Sequence, residues 1–458
     1  MRYNMKRKSA VFSLLLALPL AACENILNVT DPDIVTPGSL EGDIGLQTLR
    51  NGALGEFTVA YAGGGQTDAV IMVTGLFTDE WMHSGTFVTR FRMDSRQITD
   101  DNGNMEGMFR NLQGARNSLE VTTGKLLEAP GGDTDPRVGE MSLYAGFTYL
   151  AFAENYCNGV PFSLQPETGD TEYGAPETNV EIFDRAIARF QSAISAGGVA
   201  ADVANAARVG VGRALLGKGD YPGAAAAVSG VADDFVKWHR HSSNSAGERN
   251  SIYEFNVSIG RWSLGDSEGQ NGLDFRTSGD PRITSLLCAG CAFDTSEQVP
   301  GTPAVGDNWH FSNYTSRDDD VRLATGVEAR LIEAEAQLAA APATWLQILN
   351  DLRAAWPTLA PVLLGDDAGT LPALADPGTQ AAREDLHFRE RAFWNFSTGQ
   401  RLADARRLIR QYGRDAATIL PVGPYWKPGA QYGIDVNFIV PVDEENNPNF
   451  SGCIDRNP

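Results

Sequence analysis

The stretch TNVEIFDRAIARFQSAIS, residues 178–195, decides the fold. Thr178-Asn179-Val180-Glu181 has the spacing of a capping box, in which a threonine and a glutamate three residues on satisfy each other's free backbone N–H groups. Behind it Phe183, Ile187, Phe190 and Ile194 recur at steps of 4, 3 and 4, a stripe along one face of a helix. Ala207, Val211, Ala214 and Leu215 repeat the pattern in the next segment, and Gly210 and Gly212 leave room for a close neighbour. Gly217-Lys218-Gly219-Asp220-Tyr221 interrupts it, and Ala224–Val231 then forms a second, short helix.

A helix, a tight turn and a second helix with small residues at their crossing resembles a tetratricopeptide unit. The form returns where Val327, Leu331, Ala334 and Leu338 mark one helix, Pro342 starts the turn, and Trp345, Leu349, Leu352 and Trp356 mark its partner. Arg137–Tyr156 and Asp385–Phe396 read as further helices of the set. The expected fold is therefore mainly α, built from tetratricopeptide-like repeats. An ordinary helical domain is the alternative, because the spacing is irregular and each unit's consensus is weak. From Asp233 to about Thr325 the composition shifts to Gly, Ser, Asn and Asp without periodicity, marked by Ser278-Gly279-Asp280-Pro281 and Pro300-Gly301. This predicts a helical block over 44–232, a loop-rich, partly β insert over 233–324, and a second helical block with a C-terminal segment over 325–458. Loop-rich inserts on a helical frame are where ligand contacts usually sit.

The chain opens with Arg2, Lys6, Arg7 and Lys8 and the apolar run Ala10–Leu20, the form of a secretory signal over 1–22 and too short to span a membrane. It ends in Leu20-Ala21-Ala22-Cys23, similar to a bacterial lipobox, so Cys23 is expected to be lipidated and to head a short lead over 23–43. Ordinary cleavage after Ala22 is the competing reading. Each buried methylene contributes about 0.8 kcal/mol, so two or more acyl chains hold a protein stably at a membrane. Removing residues 1–22 takes away four cations and no acid, making the formal charge of −21 into −25. Such a surface disfavours nucleic acid and, more mildly, strongly anionic polysaccharides. Cys157, Cys288, Cys291 and Cys453 remain, an even number that points to structural disulfides outside the cytoplasm, with 288–291 and 157–453 as one pairing. Cys288-Ala-Gly-Cys291 has the spacing of a redox or zinc motif, but neither the βαβ setting nor two further ligands is visible.

Three stretches, in order, resemble the SusD/RagB family of outer-membrane nutrient-binding lipoproteins. The first is Cys23-Glu-Asn-Ile-Leu-Asn-Val-Thr-Asp31-Pro32-Asp33. The second joins Arg330-Leu331-Ile332-Glu333-Ala334-Glu335-Ala336 with Glu390-Arg391, Gly399-Gln400-Arg401-Leu402-Ala403-Asp404 and Arg406-Arg407. The third is Ile439-Val440-Pro441-Val442 with Glu444, Glu445, Asn447 and Pro448. Trp394 and Thr398 stand where the family commonly carries glutamates. The resemblance implies a SusD-like helical superhelix that sits as a lid on a SusC-type TonB-dependent transporter and delivers oligosaccharide or peptide to it. It implies no catalysis and no obligatory cofactor. Glu24 does not supply the aspartate associated with inner-membrane retention, so an outer-membrane anchor facing the exterior is expected.

Sugar sites pair flat aromatic faces with carboxylates and amides, which suits an amphipathic ring. Phe77-Thr78-Asp79-Glu80-Trp81 supplies that mixture, and so does the insert with Trp262, Asn271, Trp309, Asn313 and Tyr314. The expected ligand residues are Asp79, Trp81, Trp262, Trp309, Asn313 and Tyr314; Trp345, Trp356 and Trp394 belong to periodic helices and read as core. Gly265-Asp266-Ser267-Glu268-Gly269 matches a nucleophile pattern, but the turn composition that follows is not the helix this chemistry needs. His239 and His241 beside Trp238 read as a solvated loop, Asp100–Asn104 as an acidic turn before a helix, and Asp318-Asp319-Asp320 as a solvated run; no metal site is expected. A binding lipoprotein without catalysis is the expected function, with a lipid-anchored hydrolase and a tetratricopeptide scaffold for envelope proteins as the alternatives.

Overall fold

The computed structural model describes residues 42–165, 170–289, 307–365, 369–427 and 429–458. The leader, Cys23 and Cys291 lie outside them. Leu49–Pro458 packs as one compact unit. The chain is mainly helical, and among the described residues the strands are short antiparallel pairs.

Thr178 and Glu181 form the capping box, opening helix α1 (Asn179–Ser195). Its buried stripe is Ile182, Phe183, Ala186, Phe190 and Ala193, while Ile187 and Ile194 are half-buried. The face is thus rotated from the one read off the sequence, because two helices flank α1: Pro136–Asn155 on one side and α2 (Ala201–Lys218) on the other. Phe190 is the wedge between them. A Cβ on Gly146 would stand 2.5 Å from its ring and one on Gly210 2.4 Å, so both flanking helices need a bare backbone there. Gly219 at φ 80° ends α2, and α3 (Tyr221–Val228) folds back on it, completing the helix–turn–helix unit.

The second repeat behaves alike. Val327, Leu331, Ala334 and Leu338 of α4 (Gly326–Gln337) share one core with Trp345, Leu349 and Leu352 of α5 (Pro342–Ala354). Trp356 opens a separate helix, α6 (Trp356–Leu364), and meets Trp394 edge to face at 5.3 Å. Helix α7 (Gln380–Trp394) and α8 (Arg401–Tyr412) complete this block.

The insert is closed at its base. Strand β1 (Val236–His239) pairs with β2 (Val321–Thr325), matching Val236 to Thr325 and His239 to Val321. Gly326 follows at once; its Cβ would lie 1.9 Å from the Ala232 carbonyl, so the chain leaves the ribbon for α4 only with glycine there. Within the insert β3 (Ser285–Ala289) pairs with β4 (Asp307–Phe311). Trp81–His83 pairs with Trp262–Leu264, lacing the first helical block to the insert. At the C-terminus Cys157 and Cys453 are joined by a disulfide across 296 residues, and Cys288 is disulfide-bonded as well. The 438 region lies beside residues 155–157, through Cys157 N–H to the Phe438 carbonyl at 2.9 Å and Phe438 N–H to the Asn155 carbonyl at 2.8 Å.

Replacing glycine by alanine inside a helix ordinarily stabilises by about 0.5–1 kcal/mol. Gly210→Ala should do the reverse, by ~1–3 kcal/mol, because Phe190 is fully buried and has nowhere to move. Gly114→Ala, in the helix Gly103–Glu128, should show the ordinary gain, since its Cβ would meet only Glu56 Oε2 at 3.7 Å. Urea denaturation of both variants checks the opposite signs.

Candidate ligand-binding site

Four of the six expected ligand residues are buried, Asp79, Trp81 and Trp262 within the core and Tyr314, 8% exposed, beside a groove. Asp79 is fully buried, accepting from Arg401 Nε at 2.7 Å and Nη2 at 2.9 Å and from the Leu273 N–H at 2.9 Å. Trp81 is fully buried against Phe311 and Phe396, and Trp262, 1% exposed, stacks on Phe255 at 5.5 Å. They are inside because this segment ties all three parts of the chain together, with a carboxylate on α8, a strand on the insert and an indole between. Trp309 is partly exposed but stands apart under Arg276, 4.3 Å from its ring, and Arg276 is held by Asp266 at 3.2 Å.

Asn313 and Tyr314 do come together, in a groove of about 250 Å³ that they line with Trp238, Asp319, Asp320 and Arg322. The last turn of α6, residues 361–365, forms its opposite wall. Trp238 is brought there by β1, whose register against β2 shifts between Lys237 and Trp238. Such an irregularity bends the strand and re-aims a side chain. Arg322 stands opposite Trp238 in the ribbon and donates to the carbonyls of Trp394 at 3.3 Å and Phe396 at 3.1 Å. Burial pushes the Tyr314 phenol up to about 12 and holds Arg322 below its usual value.

The other side of Trp238 opens on a second groove, about 540 Å³, shared with His239, His241, Lys237, Arg240 and the helix residues Arg50 and Glu140. That groove in turn shares Gly55 and Glu248 with a third, about 560 Å³, which Arg110 and Asn111 flank. A partly exposed indole thus stands between two open grooves, with amide and carboxylate groups on either side. This arrangement can stack an amphipathic ring and bond its polar edge.

His239 and His241 are not a solvated loop: they are 4% and 8% exposed and pack edge to face, His239 also against Phe57 and Tyr144. Nor are Asp318, Asp319 and Asp320 a free run, because each carboxylate accepts a backbone N–H, from Ser243, Ser316 and His241 respectively. Asn102 caps the helix after the Asp100–Asn104 turn. Ser267 is exposed, with φ 55°, on a turn closed by its N–H to the Leu273 carbonyl at 2.8 Å. The sequence reading does not single out Trp238 or Arg322, both of which line the groove. The available signal was an aromatic set among Lys237, Arg240 and histidines at the edge of the insert.

No protein-family profile matches the sequence, and no curated protein does. Among solved structures, a SusD superfamily protein from Bacteroides fragilis aligns with TM-score 0.62 at 15% identity, covering 89% of this chain and 98% of its own. A SusD-like carbohydrate-binding protein from the same organism gives 0.62 at 15% identity, covering 90% and 99%. A SusD superfamily protein from Bacteroides vulgatus gives 0.60 at 13%, covering 90% and 99%. The chain has the SusD fold, and nearly the whole length of each relative is represented in it.

Glu80, beside Asp79, is fully buried, and only Oε1 has a partner, the Ser397 N–H at 3.1 Å. Burial, with Asp79 adding, pushes its carboxyl up to about 8. A raised carboxylate contributes stability that is full below its unfolded value near 4.3 and is lost as pH rises through about 8. The melting-temperature difference between Glu80→Gln and wild type should therefore shift in the variant's favour from about pH 5 to about pH 9. A difference that stays constant across that range would show that Glu80 titrates normally.

Proposed function

We propose that this protein is a glycan-capture lipoprotein: it holds an oligosaccharide across Trp238 and passes it to a SusC-type TonB-dependent transporter. The observation that carries the reading is Trp238 itself, a partly exposed indole between two grooves, on a fold shared with structures described as carbohydrate-binding. Stacking on the indole supplies the apolar contact, and Asn313 and the Asp319–Asp320 turn offer polar partners for ring hydroxyls. Oligosaccharide is preferred over peptide because the lining on both sides of Trp238 is rich in amide, carboxylate and guanidinium groups, which suit the hydroxyls of a sugar ring stacked on the indole. Ser267 adds no catalytic reading: its neighbours are committed, Asp266 to Arg276 and Glu268 to Tyr432.

The anchor in this reading is Cys23, with the outer membrane as its location and the glycan site facing the exterior. Among the described residues no helix is long and apolar enough to cross a membrane, which makes the lipid the attachment this reading relies on. Cys23→Ser should move the protein from the membrane to the soluble fraction on cell fractionation; a variant that still sediments with membranes would overturn the anchor.

Calorimetric titration of the full-length chain, solubilised in detergent, against oligosaccharides and peptides tests the capture role. Trp238→Ala should weaken the bound oligosaccharide tenfold or more, about 1.4 kcal/mol, while Trp309→Ala should leave it within about twofold. Undiminished binding by Trp238→Ala would place the site elsewhere, and saturable binding of peptides alone would replace the glycan.

A further inference from the structure

We infer that the three grooves form one track for a linear oligosaccharide, with Gly55 as the residue that lets a long ligand through; this rests on the capture reading above and adds the length of the ligand to it.

The grooves are continuous because they share walls. Trp238 borders the first, of about 250 Å³, and the second, of about 540 Å³. Gly55 and Glu248 border both the second and the third, of about 560 Å³. Pockets of about 300–1,000 Å³ each hold a small molecule, so a short ligand stacked on Trp238 leaves the third groove empty. Only a longer chain of sugars fills it.

The two ends of the track offer the same chemistry. Asn313 lines the first groove and Asn111 the third, and both are partly exposed. Neither side-chain amide bonds to another described residue, and neither is shielded from solvent. A free amide donates through its nitrogen and accepts through its oxygen, which suits two neighbouring sugar hydroxyls. A ligand bonded at both ends has to pass Gly55.

The passage between the second and third grooves has a fixed border and a bare one. Glu248 is fixed: its Oε2 accepts the Ser245 hydroxyl at 2.9 Å, and its carbonyl accepts the Ser242 N–H at 3.0 Å. The turn that carries it lies directly on residues 63–65. A Cβ on Gly64 would stand 2.2 Å from the Gly247 carbonyl oxygen, and the Gly65 N–H bonds the Arg249 carbonyl at 3.0 Å. These contacts hold the turn in place. Gly55 supplies the bare border, from the helix Gly42–Phe57. A Cβ there would meet nothing within 4 Å, so packing does not demand a glycine, and glycine inside a helix is destabilising relative to alanine. A large side chain at position 55 therefore enters the passage rather than the core.

The test is calorimetric titration of the full-length chain, solubilised in detergent, with size ladders from disaccharide to octasaccharide of neutral α-glucan, β-glucan, xylan and mannan. In the ladder that binds, affinity should rise at least tenfold from the shortest ligand bound to the longest and then level off. Gly55→Trp should remove that rise and leave the shortest ligand within about twofold, without lowering the melting temperature. Asn111→Ala should weaken the longest ligand about three- to tenfold and spare the shortest, whereas Asn313→Ala should weaken both. A wild-type affinity independent of length overturns the inference, whether or not any variant folds. So does a folded Gly55→Trp that keeps the rise, which would mean that a long chain only offers more registers to a short site beside Trp238. An Asn111→Ala that binds the longest ligand like wild type overturns it as well. In each case the capture reading survives if Trp238→Ala still loses the ligand; a wild type that binds no glycan in any ladder removes both.

Discussion

Glu335 is the carboxylate around which the second half of the molecule is built. It sits on α4 with no exposed surface and receives Arg407 Nη1 at 2.5 Å and Nη2 at 2.9 Å, the Tyr412 hydroxyl at 2.7 Å and His387 Nε2 at 3.4 Å. The imidazole is fixed for this task, because Trp345 Nε1, a donor only, bonds its Nδ1 at 3.2 Å and leaves the proton on Nε2. Burial alone would raise the Glu335 carboxyl, but Arg407 and the His387 hydrogen bond hold it well below the usual range. Asp404 then bridges Arg407 at 3.0 Å and Arg391 at 2.8 Å, so α4, α7 and α8 share one charged junction. Removing one partner from such a junction strands the rest without water and typically costs about 3–5 kcal/mol.

The junction sets where the insert can lie. Arg401, at the start of the same helix as Asp404 and Arg407, reaches back to Asp79, which also accepts the Leu273 N–H of the insert. Arg282, again from the insert, is bound to Glu390 at 2.8 Å, and Arg353 of α5 takes the other oxygen of that carboxylate at 2.7 Å. Each contact is too buried to exchange its partner for water. Together with the β1–β2 ribbon they fix the insert at its base and along its length, and Trp238, carried by that ribbon, is held where it borders the grooves.

This explains what was legible in the sequence. Helix periodicity and caps depend on neighbours three or four residues away, so the Thr178 cap, the α4 stripe and the core role of Trp345 and Trp356 could be read directly. The charged residues that resemble the SusD/RagB pattern, among them Glu335, Glu390, Arg391, Arg401, Asp404 and Arg407, could be recognised as a set but not paired. Asp79 and Trp81 could not be read at all. An acid beside an indole has the composition of a sugar site, and only Arg401, 322 residues away, converts it into a core contact. The insert resisted for a related reason: β1 and β2 are separated by about the length of the insert itself, and no local pattern says that Val236 lies opposite Thr325.

The same long-range pairing operates beside Trp238, where a chain of formal charge −21 sets cations and acids against each other. Mean charge is a property of composition, whereas what a ligand meets is the local residue of paired charges within about one Debye length. At the groove beside Trp238 that residue is small. Arg50, Lys237 and Arg240 come from different parts of the sequence than Glu140, Asp202 and Asp320, yet each finds an acid, Arg240 reaching one that lines the neighbouring groove. In the proposed capture role, recognition there would rest on shape, an aromatic face and directional hydrogen bonds.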